Sequence, residues 1–182
     1  MTNDIFRYCP DRPLPPYSYV PGLSPHPTSD PRGHSFGLNH PTAQPLDQAS
    51  FATNKNYLYA IDLFNHGFYW EAHEEWESLW HAAGRSGPTA DFLKCLIKLA
   101  AAGVKLREGR APGVKQHSRR SAELITLAAA SSVKQRIFGI CPDEIHKFAL
   151  KTADDSDRLV ESGQPNASRS LQFTLHLENQ SH

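Results

Sequence analysis

Gly67-Phe68-Tyr69-Trp70-Glu71-Ala72-His73-Glu74-Glu75-Trp76-Glu77-Ser78-Leu79-Trp80 sets three tryptophans, four glutamates and a histidine in one helix-length segment. Wound at about 100° per residue, it places Ala72, Trp76, Leu79, Trp80 and Ala83 on one face, and Glu71, Glu75, Ser78 and Ala82 on the opposite one. His73 and Glu77 fall at the border of the apolar face. Being four apart, they can meet or grip a common ligand. Glu74 lies one step further toward solvent and completes a His73, Glu74, Glu77 cluster.

An apolar helix follows, Phe92-Leu93-Lys94-Cys95-Leu96-Ile97-Lys98-Leu99-Ala100-Ala101-Ala102. Together with Trp70-Glu71-Ala72-His73-Glu74, Glu77 and Trp80, it resembles the small all-helical family known as domain of unknown function 309, over roughly residues 51 to 130. The resemblance implies a compact helical bundle and a motif of HE, two residues, E, two residues, W, which falls on His73, Glu74, Glu77 and Trp80. Where that family often has Gln-Gly before Leu-Ile, this chain has Lys94-Cys95.

A chain of 182 residues supports one ordinary domain with extensions. Lys plus Arg and Asp plus Glu are both 19, so no overall field favours nucleic acid or an anionic membrane surface. Cys9, Cys95 and Cys141 are odd in number and widely spaced, which predicts free thiols and a reducing compartment. No apolar run reaches the length of a membrane span. A cytoplasmic protein is expected.

Ten of the fourteen prolines precede residue 46. They exclude regular helix and favour an extended path, yet Tyr8, Leu14, Tyr17, Tyr19, Val20, Leu23, Phe36 and Leu38 lie among them. Residues 1–50 therefore read as an arm packed on a bundle of residues 51–160. The bundle is all-α: four main helices, near 54–66, 68–84, 88–108 and 112–130, then shorter ones within 133–140 and 143–160. The third helix, with the broadest apolar surface, is the central one, and Gly103 within it predicts a close approach by a motif-helix tryptophan. From 161 to 182 the chain is polar and expected to be loose, with a strand-like alternation over 171–177.

His73 and Glu77, with Glu74 and His117, offer nitrogen and oxygen ligands to zinc, manganese or iron, and His34 of the arm is a further candidate. The spacing is neither H-E-x-x-H nor the E-x-x-H of di-iron bundles. The same residues also read as a self-satisfied polar cluster in which Glu77 hydrogen-bonds His73. Trp70 is placed to wall a pocket, and Arg120, beside His117, to hold an anion. The expectation is a His/Glu/Arg pocket of Trp70, His73, Glu74, Glu77, His117 and Arg120 that binds a small molecule or ion. Rival readings are a hydrolase using His73, Glu74 and Glu77 in acid-base or metal-assisted chemistry, and a non-catalytic tetratricopeptide-like scaffold.

Overall fold

The computed structural model describes residues 5–38, 42–132, 135–161 and 163–178. A short 3-10 turn (Phe51–Thr53) leads into α1 (Lys55–Asn65), α2 (Tyr69–Ala82), α3 (Pro88–Arg107), α4 (Ala111–Ala130), α5 (Pro142–Asp154) and α6 (Ser156–Val160). Local chemistry sets these limits. The Asn54 side chain caps α1 by accepting the Tyr57 N–H at 3.0 Å. Gly67, at φ +81°, turns the chain out of α1 in a conformation that a Cβ disfavours. Proline occupies the first turn of α3, α4 and α5, where its missing N–H costs no helical bond.

Each of the first five helices packs on the next, and α3 lies between α2 and α4. The core is built on Phe64, Trp76, Phe92, Leu93, Leu96, Leu99 and Ile125, all fully buried. Burial of this apolar surface supplies the main driving force for the bundle. Gly103 does admit a close neighbour, but it is Tyr69 rather than a tryptophan: a Cβ there would lie 2.5 Å from the ring. The motif helix thus meets α3 through its first residue.

Three expectations change. Residues 135–140 form no helix; Ile137 and Ile140 exchange backbone hydrogen bonds of 3.0 and 2.9 Å across a tight turn at Phe138-Gly139. Residues 133 and 134 of the expected helix lie outside the described residues. The helix expected over 143–160 is broken at Asp155, whose carboxylate takes Lys151 and Arg158. The end of the chain is not loose over residues 163–178. Leu171 and Leu175 are buried, Phe173 stacks on Phe148 at 4.2 Å, and the Asn65 amide exchanges two hydrogen bonds with Leu175, at 2.9 and 2.8 Å. The alternation over 171–177 is therefore genuine, but a side-chain amide stands where a partner strand would be. Residues 179–182 of the expected tail lie outside the described residues.

The proline-rich arm is anchored on α1 and α2. Asp62, wholly buried, accepts Arg7 Nε at 2.9 Å, Tyr8 N at 2.7 Å and Cys9 N at 2.8 Å. Tyr59 donates its hydroxyl to Pro13 O at 2.8 Å, and Ser18 donates to Gly67 O at 3.0 Å. Val20 is buried, whereas Leu23, Phe36 and Leu38 are exposed. Cys9, Ala43 and Leu46 also join the buried apolar core, with Tyr8 and Leu14 packed against it, so the arm is held by both polar and apolar contacts.

Truncating Asp62 strands three donors, so Asp62→Ala should cost on the order of 3 kcal/mol in urea unfolding. Deleting residues 1–45 should destabilise the bundle and shift tryptophan emission to the red as Trp70 loses its cover. An Asp62→Ala variant that unfolds at the wild-type urea concentration would show that the arm adds nothing to the bundle.

Candidate functional site

The Trp70–Trp80 helix presents two polar edges, and the structure separates them. On the edge facing α3 and α4, ligand atoms of His73, Glu74 and Glu77 all lie within 4.8 Å of one another. His73 Nε2 is 3.9 Å from Glu77 Oε2, beyond hydrogen-bonding distance, so the expected direct hydrogen bond is absent. The spacing of four aligns the two side chains, but both are partly exposed and neither is pulled into a tight pair. Burial lowers the His73 pKa below its ordinary value; Glu77 and the Ile97 backbone favour the cation, while Lys98 and Lys94 oppose it. Burial likewise lowers His117, followed by Lys98, Lys105 and His73. His117 is thus within electrostatic reach of His73 but is not part of the converging group. Arg120 points elsewhere: it is exposed and paired with Glu123 at 2.7 Å. Lys98, with its own proton affinity lowered by burial, Lys94 and Arg120, is the cation that sequence reasoning did not single out here.

The other edge faces the arm. Glu71, Glu74, Glu75 and Ser78 recur at helical spacing and, with arm residues Arg12, His34 and Ser35, enclose a cavity of about 420 Å³. Trp70, Tyr59 and Leu63 give it apolar wall. Glu71 is 6% exposed although it belongs to a helix edge that reads as solvent-facing. Its Oε1 accepts Tyr19 N at 2.8 Å and meets His34 Nε2 at 3.2 Å, while its Oε2 is buried without a hydrogen-bond partner among the described residues. His34 Nδ1 lies 2.8 Å from Ser35 Oγ, which fixes the ring. His34 therefore belongs with Glu71 and not with His73, which removes it from the expected metal set. Glu75 is held by Arg12 and by Asn56 Nδ2 at 3.0 Å, and the Arg12 guanidinium lies 3.7 Å from the Tyr59 ring centre. Trp70 sits edge-on to Tyr19 at 5.4 Å and His26 at 5.2 Å, so the arm also positions this wall.

Glu74 borders both edges. Although the residue has an exposed side, loss of water around its carboxyl pushes its pKa up to about 7, with Glu77 and Glu71 adding to the effect. Cys95, at the place of the resembling family's glycine, is buried against Ser121 Oγ at 3.2 Å; burial pushes its thiol up to about 12, which suits packing and not nucleophilic attack. Lys94 extends over the Trp80 ring at 3.9 Å. A second cavity, about 520 Å³, lies between the start of α5 and residues 170–176. Neither cavity includes His73, Glu77, His117 or Arg120.

Two outcomes follow. From about pH 4.5, where an ordinary glutamate ionises, to about pH 7, the folded chain holds a proton on Glu74 that the unfolded chain has released. Stability conferred on the folded state by that proton declines as pH rises through this window. The depressed His73 and His117 act oppositely, losing stability as pH falls through 6.5. The melting-temperature difference of wild type minus Glu74→Gln should thus fall between pH 5 and 8; a constant difference contradicts a raised Glu74. A double-mutant cycle on His73 and Glu77 should return at most about 0.5 kcal/mol, as for other exposed pairs four apart on a helix.

No curated protein matches the chain. A family match, in contrast, covers α1, α2, α3 and the opening of α4, with the motif helix at its centre and the arm outside it. Residues 57–116 match the family described as domain of unknown function (DUF309).

Proposed function

We propose that the chain binds a small molecule in the cavity between the arm and the Glu71–Ser78 edge of α2. The observation that carries this reading is the cavity itself, whose wall includes Glu71, a carboxylate with its Oε2 buried and without a hydrogen-bond partner among the described residues. A buried polar atom ordinarily has a partner, because burying one without compensation costs on the order of 1–3 kcal/mol. Here Oε1 of Glu71 takes both contacts from the arm, so the uncompensated oxygen belongs to a residue of the cavity wall. A concave site with aromatic walls and a few convergent polar groups is the usual form of a small-molecule pocket.

Metal binding by His73, Glu74 and Glu77 draws support only from their proximity. Against it stand Lys94 and Lys98, which already disfavour positive charge on His73 and would disfavour a dication more strongly. A hydrolytic role for His73 gains nothing from the cavity, which lies along the other edge of the helix. The binding reading therefore goes with the cavity, and His73 with the surface between α2, α3 and α4. No described helix is long and apolar enough to cross a membrane.

Placing an indole at Ser78, exposed at the cavity's rim, closes the site with little change to the core. Ligand-observed NMR with a fragment library should give hits on wild type that Ser78→Trp abolishes while its melting temperature stays within a few degrees. Hits unaffected by Ser78→Trp, or none on wild type, would overturn the assignment.

A further inference from the structure

We infer that the cavity takes an organic cation, with an ammonium or guanidinium group seated against the Glu71 and Glu74 side chains of its wall and its hydrocarbon body against Trp70 and Leu63. This rests on the cavity being a small-molecule site, as proposed above. Charge balance in the lining carries it. Three carboxyl groups, Glu71, Glu74 and Glu75, face one guanidinium, that of Arg12. Arg12 is committed to Glu75, which Asn56 also holds, so that pair is closed. Glu71 and Glu74 remain, three apart on one helix edge, with no cation of the lining bound to either. His34 gives Glu71 Oε1 a ring nitrogen at 3.2 Å and leaves Oε2 without a hydrogen-bond partner among the described residues.

The chain's own Arg12 shows how this cavity treats a cation: its guanidinium meets a carboxylate at one side and an aromatic face, Tyr59 at 3.7 Å, at the other. A ligand cation on Glu71 and Glu74, with Trp70 alongside, repeats that arrangement one turn earlier along α2. A bare metal ion fits less well. Among the described residues the group whose ligand atoms converge to metal-binding spacing is His73, Glu74 and Glu77, and it includes neither Glu71, Glu75 nor His34. An anion is disfavoured by the same carboxyl groups, and a neutral ligand leaves their charge uncompensated in a partly dry space.

The test uses the full chain at pH 8 and three probes: benzylamine hydrochloride, benzyl alcohol and manganese(II) chloride. Binding is read from the indole N–H of Trp70 and the amides of Ser35 and Ser78 in two-dimensional NMR. Benzylammonium should bind about tenfold more tightly than benzyl alcohol, the size of effect expected of a charge-assisted hydrogen bond. In Glu71→Gln that ratio should collapse toward one. If that variant does not fold, Glu74→Gln, at the exposed rim, should lower the ratio in the same direction. Equal binding of the two organic probes overturns the cation inference and leaves the small-molecule pocket standing. No shift at these three positions with either probe overturns both. Manganese broadening of Trp70 and Ser35, with benzylammonium inert, assigns the cavity to an ion and overturns the organic class.

Discussion

A carboxylate wholly buried on α1 organises the outer half of this structure. Asp62 sits in the sequence between Ile61 and Leu63, and its three hydrogen bonds all go to the arm, to Arg7, Tyr8 and Cys9. Withdrawing an ionisable group from water is unfavourable unless donors replace the water. Two consecutive backbone N–H groups and a guanidinium do so here, and they fix the direction in which the arm leaves α1. From that anchor the prolines favour an extended course, so the chain reaches α2 in register to present Tyr19 N and His34 to Glu71. Because the prolines already restrict the unfolded arm, ordering it sacrifices less entropy than ordering a free loop would.

The helices were legible because their signals are local. Asn54 as cap, Gly67 as stop, Pro88 and Pro112 as openers, and the apolar spacing of Tyr57, Ala60, Ile61 and Phe64 all act within a turn or two of themselves. The arm's docking was legible only in kind, from aromatic residues among prolines. Which carboxyl groups it covers was not: Asp62 and Glu71 each meet an arm residue more than fifty positions away, and no periodicity encodes a partner at that distance. Asp62 did leave a trace, an acidic residue inside an otherwise apolar run. The ordered end of the chain was missed for a similar reason, since alternation over 171–177 has meaning only once Asn65 is known to pair with Leu175.

For the candidate site, sequence reasoning singled out the His73–Glu77 edge of α2, whereas the cavity lies along the Glu71–Ser78 edge. His73 and Glu77 stand out by residue type, yet at 3.9 Å and partly exposed they interact weakly. Glu71 and Glu75 looked like solvated residues opposite the apolar face. Helical periodicity does separate one face of α2 from the other, but it treats whatever is not bundle-facing as solvent-facing. Here a second covering layer, the arm, converts the outer face into a cavity lining and buries Glu71. Glu74, shared by both edges, is the point where the two descriptions meet.

The cavity is also tied to parts of the chain that do not touch it. Arg107, near the end of α3, passes beneath Gly67 and donates to Ser18 Oγ at 2.7 Å and Arg169 O at 2.9 Å. Ser18 in turn donates to Gly67 O, and its neighbour Tyr19 supplies the N–H on Glu71. Tyr69, beside the same guanidinium at 5.0 Å, accepts Leu171 N from the end of the chain at 2.7 Å. One guanidinium thus ties the arm, the entry to the motif helix and the C-terminal segment together, in the rigid forked geometry that arginine has and lysine lacks. Burial lowers its pKa, with Tyr69 and Glu71 opposing. By holding Ser18, Arg107 fixes the path of Tyr19 over Glu71, so the cover of the cavity depends on a residue outside its lining.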